Sequence, residues 1–323
     1  MAAIERMRIN FQRPSAAMGE AWFMGDRRMF SELLEQPISE APVELLEECL
    51  EEISSGIRCF GHLQEWHEWF KYLLPDLILR GNQTYAFHAL IESTVTAFMN
   101  VFWTGIAEEY VGFGADVRAS LAYCLMEPEV WIESSSNRLN VPRSYPLFLV
   151  CENEEGSLEP AYWDAGETSN QLSCMMFFCL KYLPIGQIPT WVSSVMAIEN
   201  PYWKGAFMVW LLGVQDLLED KVPVPSKLKK TNPKVSWYDS HALGSRFGSI
   251  DAEEPPCDEF NDNKDFLSFQ SNAVFLAEIK CQLTPEALLQ WTDSIATEPH
   301  LNDTLQNTAD LLFDKLMRER GNS

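Results

Sequence analysis

Apolar residues recur along this chain mostly at helical spacing, three or four apart. Val43, Leu46, Leu50 and Ile53 form one stripe over 42–55, with Pro42 placed for a first helical turn. Leu63, Trp66, Phe70, Leu73 and Leu77 continue the pattern over 62–80. Pro75 predicts a kink or a split there, and Gly81-Asn82 predicts a turn. Residues 83–110 predict the longest helix, with Phe87, Leu90, Ile91, Val95, Phe98, Phe102 and Ile106 on one broad face. Val101 and Trp103 lie off that face, which predicts a central helix buried on most sides. A shorter helix is expected over 115–126.

The helical pattern breaks over 134–166. Ser134-Ser135-Ser136-Asn137 is a loop signal, Pro146–Val150 a short apolar run and Asn153–Gly156 a turn, with Leu158–Trp163 able to return. A β-hairpin or an ordered long loop is expected here. Helical spacing resumes over 167–183, 187–199 and 201–220, the last with Trp203, Phe207, Trp210, Val214 and Leu217 in one stripe. Residues 221–262 have no period, which marks a functional loop or a disordered segment. Three helices are expected to close the chain, at 263–281, 285–296 and 302–319. Thr284-Pro285-Glu286 starts the second of these with a hydroxyl cap, a proline at the first position and an acid in the first turn. Leu305, Ala309, Leu312 and Leu316 line the third, and Lys315, Arg318 and Arg320 suit the negative end of its dipole.

These elements predict an all-α protein of about ten helices in antiparallel hairpins, because short linkers bring successive helices side by side. The arrangement is either an irregular α-solenoid, HEAT-like in architecture alone, or a globular helical bundle. One small β-hairpin insertion is expected near 145–163. The organisation reads as an N-terminal helical part (1–133), an irregular or hairpin insertion (134–166), central helices (167–220), a long acidic and basic loop (221–262) and C-terminal helices (263–323), in one continuous domain. Neither tryptophan nor proline recurs at a fixed period, so no regular repeat is indicated.

Composition narrows the function. Of 323 residues, 46% are apolar and 12% aromatic, too many for a disordered chain. A chain of this size buries about three quarters of its surface and needs no disulfide or metal to hold a core. Its 24 Lys and Arg face 47 Asp and Glu, a net charge of −23, which opposes direct binding to nucleic-acid phosphates. The 8 cysteines are scattered without a CxxC pair, as expected of buried free thiols in a reducing cytoplasm. No signal peptide is visible at the start. The uncharged stretch Ser93–Ala107 is shorter than the roughly 20 residues of a membrane span, so no membrane partner is expected.

Motifs of catalysis are largely missing. There is no P-loop, and Gly112-Phe113-Gly114 lacks the third glycine and the preceding strand of a dinucleotide site. Gly244-Ser245-Arg246-Phe247-Gly248 has its serine one place early for a nucleophile elbow, and His67-Glu68 does not continue into HExxH. His62, His67, His88, His241 and His300 fit no common metal spacing, so no metal and no cofactor are expected. His88 and Glu92 share a helix face, either as an acid–base pair facing a pocket or as an ordinary helix-surface pair. Asp258, Glu259, Asp262 and Asp265 lack the grammar of a calcium loop. Lys227, Lys229, Lys230 and Lys234 form one short basic cluster, which reads as a solvated loop. Trp66, Trp69, Trp103, Trp191, Trp203, Trp210 and Trp291 sit in apolar stripes and read as core.

The acidic clusters carry more information. Glu44, Glu48 and Glu52 are successive i,i+4 neighbours, as are Glu47 and Glu51, and no Lys or Arg lies between 29 and 57. Such like-charge pairs cost a helix about 0.2–0.5 kcal/mol each. They suit either a face that meets a basic protein or a solvated coat. The first functional expectation is therefore a non-catalytic interaction or adaptor protein that binds a basic protein partner through Glu44, Glu47, Glu48, Glu51 and Glu52. The alternative is an all-α enzyme with a carboxylate site in the helical core, His88, Glu92, Glu108, Glu109 and Asp116 supplying acid–base groups or binding Mg²⁺. A third is an acidic mimic of nucleic acid.

Overall fold

The computed structural model describes residues 2–23, 26–60, 64–81, 87–122, 150–152, 158–160, 170–199, 201–223, 225, 228, 266–297 and 308–318. Among them are twelve helices and two two-stranded antiparallel pairs, an all-α fold with a small β-hairpin as the sequence pattern predicts. The chain divides into two compact units. The described residues of the first lie within 2–122 and those of the second within 150–318.

In the first unit, α1 (Ala2–Asn10) leads into a hairpin of β1 (Met18–Gly19) and β2 (Arg28–Met29), then the single turn α2 (Glu32–Glu35). Helices α3 (Val43–Phe60), α4 (Gln64–Gly81) and α5 (Phe87–Val101) pack against one another, with Leu46, Leu50, Ile53, Trp66, Phe70, Leu73 and Phe98 at or near zero exposure. Helix α3 passes through Ser54 and Gly56 because the glycine makes room. A Cβ there would lie 2.6 Å from the Trp66 ring. Helix α4 is not split at Pro75: the proline sits inside it, and burial of Trp69, Phe70, Leu74, Leu77 and Ile78 offsets the roughly 3 kcal/mol that an interior proline costs.

Helix α5 ends at Val101, short of the 110 expected. Gly105 adopts φ 138°, a conformation that L side chains rarely take, and it ends the helical path after Phe102. Gly112, at φ 91°, then starts α6 (Phe113–Val117), which continues as a π turn over Arg118–Ala122. Phe11, Phe102, Tyr110 and Phe113 form an aromatic cluster, with Phe11 edge-on to Phe113 at 5.4 Å.

The second unit opens on β3 (Val150–Glu152), paired with β4 (Leu158–Pro160) in the register Val150 to Pro160. The expected hairpin is therefore present inside 145–163. Helices α7 (Asn170–Tyr182), α8 (Ile188–Met196), α9 (Pro201–Leu218), α10 (Phe269–Gln282), α11 (Pro285–Ala296) and α12 (Thr308–Arg318) follow. Thr284 caps α11 as its sequence predicts, accepting the Ala287 N–H at 3.2 Å. Trp203, Phe207 and Trp210 run along α9 and stack in turn, and Trp191 and Trp210 both meet Phe275. Lys181 is drawn into this core: its ammonium donates to the Phe266 carbonyl at 2.9 Å, and burial lowers its pKa to about 8. Among the tryptophans read as core, Trp66, Trp69, Trp191, Trp203, Trp210 and Trp291 are buried, while Trp103 is half-buried.

Candidate functional site

Helix α3 separates its two chemistries cleanly. Leu46, Cys49, Leu50, Ile53 and Ile57 face the core at zero exposure. Glu44, Glu48 and Glu51 are exposed, and Glu47 and Glu52 are half-buried. The helical repeat thus brings Glu44, Glu47, Glu48 and Glu51 onto one outward side. Glu44, Glu48 and Glu51 make no ion pair among the described residues. Glu47 lies closest to the core edge. Its own burial, and then the charge of Glu44, push its carboxyl above the usual range. Its Oε1 is buried without a hydrogen-bond donor among the described residues.

Glu52 does a different job. Its carboxylate accepts the Ala21 N–H at 2.8 Å and so holds the N-terminal segment to α3. Glu65 of α4 acts alongside it, accepting the Gly19 N–H at 2.9 Å and pairing with Arg28 at 2.9 Å. Trp66 Nε1 donates to the Gly19 carbonyl at 3.0 Å. Neither Glu65 nor its partners stand out in the sequence. The hairpin they hold has two-residue strands with no alternation to read.

Glu108, Glu109 and Asp116 lie on or beside the segment that joins α5 to α6. Asp116 is buried and accepts a two-pronged bond from Arg6, one prong from Nε at 2.8 Å and the other from Nη2. Tyr110 Oη donates to the same carboxylate at 2.8 Å. The Arg6 bonds, followed by the one from Tyr110, hold the Asp116 carboxyl below its ordinary range. Burial and then the Asp116 bond push the Tyr110 phenol up. Glu108 accepts the Gly112 N–H at 2.9 Å, and Glu109 pairs with Lys71 at 2.7 Å. Each carboxylate is therefore engaged in tying the first unit together. Asp116, ionised and triply bonded, is a poor base. His88 lies in the first turn of α5, with its side chain outside the described residues, and Glu92 is half-buried. The acids of 251–265 and Lys227, Lys229, Lys230 and Lys234 also lie outside the described residues.

Among the described residues no group of three or more His, Cys, Asp or Glu side chains is placed to hold a metal ion. No described helix is long and apolar enough to cross a membrane. Cys49, Cys174 and Cys179 are free and buried, and Cys281 is free and exposed. No protein-family model matches the chain, and no curated protein or solved structure matches it.

Proposed function

We propose that this is a non-catalytic interaction protein whose acidic α3 face binds a basic protein partner. The observation that carries the reading is the exposure of Glu44, Glu48 and Glu51 on one helix face without a counter-ion among the described residues. In the free protein their mutual repulsion is a cost, and a Lys- or Arg-bearing surface converts it to attraction. The buried free thiols of Cys49, Cys174 and Cys179 suit a reducing compartment, and a cytoplasmic location belongs to the same proposal.

Affinity purification of the intact chain from its native host, read by mass spectrometry, tests it. One basic protein in near-equal amount is expected with the wild-type chain and its loss with Glu48→Lys/Glu51→Lys. Against that isolated partner, the double reversal is expected to weaken binding at low salt by about tenfold or more. Capture of no partner, or equal capture by the reversed chain, overturns the reading.

A further inference from the structure

Residues 14–23 are held to the first unit in a manner unlike its helices. Met18, Gly19 and Ala21 are buried there, while Ser15, Ala16 and Phe23 are exposed. Side chains of α3 and α4 aim at the main chain of this segment. Glu65 accepts the Gly19 N–H at 2.9 Å, Trp66 Nε1 donates to the Gly19 carbonyl at 3.0 Å, and Glu52 accepts the Ala21 N–H at 2.8 Å. One side chain of the segment is seated as well. The Met18 sulfur lies 4.0 Å from the Cys49 sulfur of α3, both residues at zero exposure. Main-chain bonds that ignore sequence, together with an apolar seat that does not, are the means by which a groove holds an extended peptide. The segment's other ties are few. Strand β1 pairs with β2 over two residues, and the Glu20 N–H donates to the Arg27 carbonyl at 2.8 Å. Phe30, which follows β2, is buried at φ 57°, a left-handed conformation that is costly for a bulky side chain. A stretch with so little buried area, strained where it rejoins the fold, opens at lower cost than the helices that carry it.

We infer that Glu52, Glu65, Trp66 and Cys49 line a peptide-binding groove on α3 and α4. In the free chain its own residues 14–23 fill the groove, and an extended segment of a partner protein with the order Met-Gly-x-Ala takes their place. Such a segment makes the same three main-chain bonds and seats its methionine on Cys49. It does so without the backbone strain at Phe30 that the chain's own segment carries. A second copy of this chain offers the same segment, but two chains of net charge −23 repel each other and neither gains a bond over its own. The groove uses none of Glu44, Glu48 and Glu51, so it does not rest on the reading given to the acidic side of α3.

The test uses the full chain with Met18→Asp and a fluorescein-labelled peptide of residues 14–23. Met18 belongs to the segment and not to the groove, so a charge there evicts the segment and leaves the groove's own residues in place. The peptide is expected to bind the Met18→Asp chain at least about tenfold tighter than the wild-type chain, whose groove is already filled. The same peptide carrying Met18→Asp is expected not to bind. Adding Trp66→Phe to the Met18→Asp chain is expected to weaken binding, because one donor to the main chain is lost. The wild-type chain gives a second readout that does not need the variant to fold. Alkylation of Cys49, located by mass spectrometry of its peptide, is expected to proceed at a rate that low urea leaves unchanged and to slow when unlabelled 14–23 peptide is in excess. Equal binding of the peptide by the wild-type and Met18→Asp chains overturns the inference, as does equal binding of the two peptides by the Met18→Asp chain. Alkylation of Cys49 that rises with urea in step with the loss of helix overturns it as well. A wild-type dimer that the peptide splits would overturn the choice of a partner protein and assign the groove to a second copy.

Discussion

At Gly56 the absence of one carbon lets two helices meet. The Trp66 ring would lie 2.6 Å from a Cβ at this position, and an indole held at its Nε1 by the Gly19 carbonyl has little room to retreat. Gly56→Ala gains about 1 kcal/mol of helix propensity but overpacks a closed contact, at a cost of about 1–3 kcal/mol. A lower melting temperature is expected, measured by circular dichroism, and a rise would show that the contact relaxes freely. Asp116 is a second case. Its carboxyl is held below the unfolded value of about 3.9, so the folded chain keeps the charge where the unfolded chain takes up a proton. The resulting stabilisation is complete above that unfolded value and disappears as pH falls through the folded one. Asp116→Asn is therefore expected to cost stability at neutral pH and progressively less below about pH 4. Urea unfolding of both proteins across pH checks this, and a gap that stays constant would mean that the charge is irrelevant. Neither residue's role was legible in sequence. Arg6 and Asp116 are 110 positions apart, and a carboxylate kept for structure has the same letter as one kept for catalysis.

For the elements, legibility followed the strength of the apolar stripe. Helices α3, α4, α9 and α11 were readable because each buries a continuous face, and the hairpin at 150–160 because Asn153–Gly156 marks a turn. The end of α5 was not, since it depends on the φ of Gly105, which no spacing encodes. The β1–β2 pair was not, since its anchors Glu52, Glu65 and Trp66 come from later helices. The acidic side of α3 was legible from its i,i+4 pattern, but the diversion of Glu52 to the Ala21 amide was not. On the role proposed for it, helix α3 also separates stability from recognition. Glu48→Lys places a lysine one turn from both Glu44 and Glu52, replacing two repulsions with attractions worth about 0.2–0.5 kcal/mol each. The melting temperature of the free protein is expected to rise while affinity for a basic partner falls. A drop in both would assign Glu48 a structural part in the fold.

Over the whole molecule, a net charge of −23 is a self-repulsion that salt can screen. Raising the ionic strength from low values to about 0.15 M shortens the screening length to about 8 Å. The melting temperature is expected to increase over that range in differential scanning fluorimetry. A decrease would mean that pairs such as Arg6–Asp116 and Lys71–Glu109 outweigh the repulsion. Charge counting and periodicity were enough for the all-α class and for the acidic character of particular stretches. They pointed to one continuous domain and carried no sign of the two compact units, because a boundary of that kind is written in which distant residues meet. The buried indoles give that division an optical consequence. Trp66 and Trp69 lie in the first unit, and Trp191, Trp203 and Trp210 in the second, all at or near zero exposure. Each unit therefore carries its own emitters in a dry environment, and each set moves to longer wavelength when its own surroundings open to water. Replacing every tryptophan of one unit with phenylalanine leaves a chain that reports, by colour alone, on the melting of the other.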